Sequence, residues 1–95
     1  MPHIILPEEH FAADVQRELA QARWRFGWWP DNPVEAAAIV NEEAGEVVKG
    51  INNWHHGHGD DTPEEIYKEA VQAAAMLVRF VTETPLFRGI WDDLK

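Results

Sequence analysis

Three carboxylates stand within five residues in Glu42-Glu43-Ala44-Gly45-Glu46, and a fourth, Glu69, follows with Gln72 three positions later. Their chemistry depends on where they sit relative to apolar neighbours. Advancing about 100° per residue from Glu43 places Ala36, Ile39, Val40, Val47, Gly50 and Trp54 within roughly 60° of it. Glu43 therefore lies inside the apolar stripe of its helix. Glu46 lies at one edge of that stripe, and Glu42 further out on the same side. The same construction on the next helix puts Ile66, Ala73, Met76 and Phe80 within roughly 60° of Glu69, with Gln72 flanking it. An ionised carboxylate leaves water only when a cation or hydrogen bonds replace its hydration. Two such groups facing each other across a hairpin are like charges that need a shared counter-ion. A hard divalent cation with all-oxygen ligands meets that need: Mg²⁺, or Mn²⁺ as the alternative. The competing arrangements are a solvated acidic face for Glu42 and ion pairs from Arg23, Arg25, Lys49 or Arg79. A protein cage that leaves Mg²⁺ partly hydrated accepts phosphate oxygens, so a phosphate ester or phosphoanhydride is the expected substrate class.

The elements that position these groups are helices. A first helix opens at about Pro7 or Glu8, with Glu8 and Glu9 in its first turn, and runs to about Phe26, with Phe11, Val15, Leu19 and Ala22 as its apolar face. A short apolar lead, Pro2 to Leu6, precedes it. Gly27 to Asn32 breaks the chain, and Asn32-Pro33-Val34-Glu35 restarts it with a cap, a first-turn proline and an acid. This second helix is expected to reach about Asn53, with Gly45 and Gly50 marking close helix approach or room for a ligand. His55 to Asp61 reads as a loop. Thr62-Pro63-Glu64-Glu65 is a capping box that starts a third helix reaching about Thr82 or Glu83, where Thr84-Pro85 stops it. Leu86 to Leu94 forms a short terminal helix, and nothing suggests a strand. The expected fold is an all-α single domain: three main helices plus a short C-terminal one, completed by oligomerisation.

Composition sets the outer limits. The chain has 95 residues, 45% apolar and 26% charged, which is one folded domain with a modest core. Seventeen acidic against eight basic residues give a net charge of −9, the wrong sign for a general nucleic-acid binder. The absence of cysteine excludes disulfides, thiolate zinc sites and cysteine nucleophiles. No apolar run reaches membrane-spanning length and no signal peptide is apparent, so a cytoplasmic protein is expected.

At this point the residues resemble a known family. Glu42-Glu43-x-x-Glu46, a 22-residue interval, and Glu69-x-x-Gln72 are similar to the paired motif of the all-α nucleoside triphosphate pyrophosphohydrolases. These are the MazG-like enzymes, with Glu-Glu-x-x-Glu followed by Glu-x-x-Asp. Arg25-Phe26-Gly27-Trp28 before the motif, Ala44-Gly45-Glu46-Val47 within it and an alanine-rich third helix extend the similarity over about residues 10 to 82. The resemblance implies Mg²⁺-dependent hydrolysis of a nucleoside or deoxynucleoside triphosphate to monophosphate and pyrophosphate, in a homodimeric or homotetrameric helical bundle. Carried over by position, it implies Glu43, Glu46, Glu69 and Gln72 as the metal set, with the metal drawing charge off the phosphates and orienting water. Glu42 is the expected base or outer-sphere ligand. Lys49 and Asn53 stand on its side to meet phosphate or sugar oxygens, unless Lys49 pairs with Glu46 instead. The one departure is Gln72, where the family has Asp; the amide removes a negative charge and lowers the expected metal affinity. A non-catalytic nucleotide-binding or regulatory module is therefore the alternative, and an acidic assembly protein a third.

The aromatic and histidine side chains complete the inventory. Trp24 reads as core or interface packing. Trp28 and Trp29 read either as the same packing or as an oligomer contact or a stacking wall for a base, and Trp54 as a cover for the pocket. His55, His56 and His58 with Asp60 and Asp61 offer a Zn²⁺ or Ni²⁺ cluster, a solvated loop or a contact to substrate phosphate.

Overall fold

The computed structural model describes residues 4–94 and contains four α-helices. They are α1 (Pro7–Arg25), α2 (Pro33–His56), α3 (Pro63–Glu83) and α4 (Arg88–Asp92), with a 3₁₀ turn at Pro85–Phe87 leading into α4. No strand occurs among the described residues, and no helix there is long and apolar enough to cross a membrane. Of the N-terminal lead, Ile4, Ile5 and Leu6 are irregular and exposed, while Pro2 and His3 lie outside the described residues.

Local chemistry explains each boundary. Asn32 Oδ1 accepts from the Val34 and Glu35 amides at 2.8 and 3.3 Å, and Thr62 Oγ1 accepts from Glu65 N–H at 3.2 Å. Both caps precede a proline whose missing N–H is one the first turn does not need. Helix α2 runs three residues past the expected Asn53. It stops where Gly57 takes φ 69° and His58 N–H returns to the Asn53 carbonyl at 2.8 Å. His55 and His56 thus belong to the last helical turn rather than to the loop.

Helix α3 lies in the middle. Val15 and Leu19 of α1 pack on Val71 and Ala75 of α3, with Phe11, Ala74, Met76 and Val78 around them. On the other side α2 runs antiparallel to α3. A Cβ built at Gly50 would stand 3.2 Å from Ile66 Cγ1, which fixes the register of that pair. Tyr67 Oη–H donates to Asp14 across the α1–α3 seam. That bond raises the Tyr67 pKa, and it contributes most to holding the Asp14 pKa below its ordinary value. Helices α1 and α2 each pack on α3 but scarcely meet each other. The result is an open layer with principal extents of 46 × 44 × 22 Å.

The far end is closed by a latch. Arg79, only 2% exposed, pairs with Glu83 at 3.0 Å and lies 4.9 Å from the Trp29 ring centroid. Arg23 reaches the same Glu83 at 2.8 Å. Trp29 Nε1–H donates to Thr84 Oγ1 at 3.0 Å, and Arg79 Nη2–H reaches the Trp28 carbonyl at 3.4 Å. Trp29 is therefore buried and structural. Trp24 is not core: it is 87% exposed, because the side of α1 that carries it faces away from α3.

The two helical glycines of α2 separate cleanly. Nothing lies within 4 Å of a Cβ placed at Gly45. Gly45→Ala is expected to raise stability by about 1 kcal/mol, the propensity difference in a helix interior. Gly50→Ala gains the same propensity but presses on Ile66, so its increment should be clearly smaller. Urea midpoints of the two variants test this ordering.

Candidate functional site

The Gly50–Ile66 contact sets the level of every group on the hairpin. Counting back along antiparallel helices, Glu46 stands opposite Ala70 and Glu43 opposite Ala73. Glu69 and Gln72 then lie within about a turn, or ~6 Å along the axis, of Glu43. The two halves of the motif are brought to one level of one helix pair.

Electrostatics carry the same message. The Glu43 carboxyl is pushed above its ordinary value, first by burial and then by the charges of Glu69, Glu42, Glu46 and Glu18. Among the described residues no cation pairs with Glu42, Glu43, Glu46 or Glu69. Arg23 and Arg79 are both committed to Glu83, and Lys49 makes no ion pair with Glu46. The ion-paired alternative for these glutamates is thus absent there.

A cleft of about 440 Å³ opens where α1 and α2 splay apart over α3. Glu18 and Arg25 come from α1, Glu43 and Ile39 from α2, and Gln72 and Arg79 from α3. Phe26, Trp28 and Trp29 of the α1–α2 connection form its aromatic wall. Glu43, Gln72 and Trp28 are thereby joined in one cavity. Glu46 and Glu69 reach it only through their charge on Glu43. Glu42 and Lys49 are exposed on the outer side of α2.

Two expected contributors stand elsewhere. The Asn53 side-chain amide donates to Asp61 Oδ2 at 3.0 Å and so braces the α2–α3 connection. Trp54 is half exposed and shares a separate groove with Ile51, Ile66 and Ala70, about three turns along α2 from Glu43. It does not cover the Glu43 cleft. His55 and His56 stack edge to face at 4.9 Å between ring centroids, and His56 and His58 lie 6.2 Å apart.

Glu18 escapes a reading of α2 and α3 alone. It lies one residue before Leu19 of the α1 core face, and a wheel centred on that face would have placed it at the edge toward α3. Arg79 escapes as a cleft residue, since a charged side chain at its position reads as solvated until Trp29 and Glu83 are seen around it.

The donor types suit a hard cation: carboxylates, an amide oxygen and no thiolate. Among the described residues no three acidic or histidine side chains stand close enough to hold a metal ion at once. Glu43, Glu46 and Glu69 share a level without converging on a point. No family model, curated protein or solved structure matches the chain.

Proposed function

We propose that this protein is a divalent-cation-dependent nucleoside triphosphate pyrophosphohydrolase of the MazG-like type, acting on the nucleotide pool as a house-cleaning enzyme. The observation that supports it is Glu43. It is half-buried, surrounded by four other carboxylates and paired with no cation among the described residues, yet it lines a cleft walled by aromatic rings. Glu43, Glu46, Glu69 and Gln72 would hold Mg²⁺ or Mn²⁺, which when bound supplies charge neutralisation and a polarised water.

The chain's own residues divide the remaining work. Trp28, Phe26 and Met76 offer a face on which a base can stack, and Arg25 brings positive charge to the same cleft. Glu42, exposed and adjacent to Glu43 in the chain, would accept a proton from water. Lys49, on the outer side of α2, is free to meet phosphate oxygens.

Pyrophosphate release from a panel of ribo- and deoxyribonucleoside triphosphates, with Mg²⁺ or Mn²⁺, tests the proposal. Release from at least one triphosphate and none without metal is expected. No release from any member with either metal contradicts catalysis and leaves a nucleotide-binding module. Gln72 provides an independent handle. Gln72→Asp restores a carboxylate, and by calorimetry should tighten Mg²⁺ binding by roughly tenfold or more, a size that even outer-sphere changes reach.

A further inference from the structure

The cleft that contains Glu43 does not end at Gln72. A groove of about 570 Å³ opens between α1 and the first half of α3, and Glu18 and Gln72 line both cavities. The two join into one trough along α3, whose far part is bounded by Asp14, Glu64, Tyr67 and Lys68. Helix α1 runs parallel to α3, since Tyr67 meets Asp14 near one end and Arg23 meets Glu83 at the other. The aromatic end is fixed where Arg79 reaches the Trp28 carbonyl. Seven residues back along α3, ~10 Å on the axis, Gln72 marks the level of Glu43 and Glu69. Lys68 follows one turn further, ~6 Å, on the same side of α3 as Gln72.

Charge distinguishes the far end. Asp14 already has Tyr67, Arg17 and His10 as partners. Lys68 is exposed and pairs with no carboxylate among the described residues. No other cation among them lines that part of the trough. Lys49 stands at nearly the same level on α2, because Gly50 faces Ile66 and Lys49 then falls opposite Tyr67. Two of the three lysines in a chain of net charge −9 thus gather about one turn beyond the carboxylates.

We propose that Lys68 receives the β- and γ-phosphates of the triphosphate and so fixes the direction in which the nucleotide lies. This orientation rests on the pyrophosphohydrolase proposal and extends it. The trough presents an aromatic face, then carboxylates, then an ammonium. A nucleoside triphosphate presents the matching groups in the same order: the base, the α-phosphate that shares a cation with the carboxylates, and the outer phosphates. The turn from Gln72 to Lys68 is of the order of the two P–O–P links between the α- and γ-phosphorus. The reverse orientation would set the polyphosphate against the rings and leave the base beside Lys68, Glu64 and Asp14. A lysine suits the outer phosphates, because a compact charge on a flexible stem follows their oxygens without demanding one fixed geometry. Glu18 and Glu64 along the same trough repel a bare anion. Lys68 therefore discriminates by phosphate number: a monophosphate seated at the aromatic end stops short of it.

The test is calorimetry on the full chain with Mg²⁺, titrating a non-hydrolysable nucleoside triphosphate analogue and, separately, the monophosphate of the same nucleoside. Lys68→Gln should weaken the triphosphate analogue at least about tenfold, the size of one charge-assisted hydrogen bond. Lys68→Glu should weaken it further, because repulsion replaces attraction. Monophosphate affinity should stay at the wild-type value in both variants. Lys68 is exposed and bonds to no other side chain among the described residues, so circular dichroism should show both variants folded. Triphosphate affinity that neither variant lowers overturns the role of Lys68. An equal loss for triphosphate and monophosphate overturns the orientation, since Lys68 would then meet a part common to both. A wild type that binds neither ligand ends the pyrophosphohydrolase proposal itself, and this orientation with it.

Discussion

Glu43→Gln is expected to make the metal-free protein more stable and to abolish the pyrophosphate release proposed for it. Burial and the neighbouring carboxylates raise the Glu43 pKa above its ordinary 4.5. The folded state therefore holds this proton more tightly than the unfolded chain does. The resulting penalty is absent below the ordinary value, grows as pH rises through the raised pKa, and is fully present above it. The amide keeps the shape and removes the charge, so the variant should escape that penalty. The difference in urea midpoint between variant and wild type should grow with pH over this window. Glu83, which titrates with the opposite sign, cancels in the comparison. In the presence of Mg²⁺ the order reverses, because the variant lacks a ligand, and pyrophosphate release should fall at least about a hundredfold. A variant destabilised equally at every pH would make Glu43 an ordinary structural acid and end the metal-site proposal.

The second large effect concerns the latch. Glu83→Ala should cost roughly 2–3 kcal/mol, between the loss at an exposed pair and the 3–5 kcal/mol at a fully buried one, because Arg79 is buried while Glu83 keeps part of its carboxylate in water. Arg79 would keep only the Trp28 carbonyl and the Trp29 ring for its buried charge, and Arg23 would lose its tie from α1 to α3. Burial pushes the Glu83 carboxyl up, but hydrogen bonds and charge from Arg79 and Arg23 outweigh it, and the net pKa is lowered. Stability from this group is thus present above the ordinary carboxylate pKa of 4.5 and is lost as pH falls through the lowered value. Equilibrium unfolding in urea measures both features. A loss under about 1 kcal/mol, the scale of an exposed pair, would mean the latch is solvated in solution. The cleft should suffer with the latch, since Trp28 and Trp29 are held in place by it.

What the sequence makes legible here is local. Asn32 and Thr62 announce their helices through side-chain oxygens placed before a proline, and both bonds form. Val15, Leu19 and Ala22 are buried at the spacing that a 3.6-residue period demands. Glu43 and Glu69 stand out because a wheel can detect a carboxylate that breaks an apolar stripe. What escapes is what depends on distant residues. Trp29, Arg79, Glu83 and Thr84 form one cluster across more than fifty residues of chain, and no period within either segment signals it. Trp24 has the character of a core residue, but α1 packs on α3 along one side only, which leaves that ring in solvent. Helix α2 passes Asn53 because Gly57, in the left-handed conformation, closes the turn later than the polar run suggests. Asn53 and Trp54 carry suitable groups for a substrate site, yet register places them toward the α2–α3 connection.

The most direct test of the cation site is a Mn²⁺ titration followed by electron paramagnetic resonance, with and without a non-hydrolysable triphosphate analogue. Carboxylates on α2 and α3 that share one ion should remove Mn²⁺ from the free-ion signal. Mg²⁺ should release it, and Glu43→Gln and Glu69→Gln should each abolish the uptake. A free-ion signal from protein and analogue together that equals the signal from analogue alone would contradict the account.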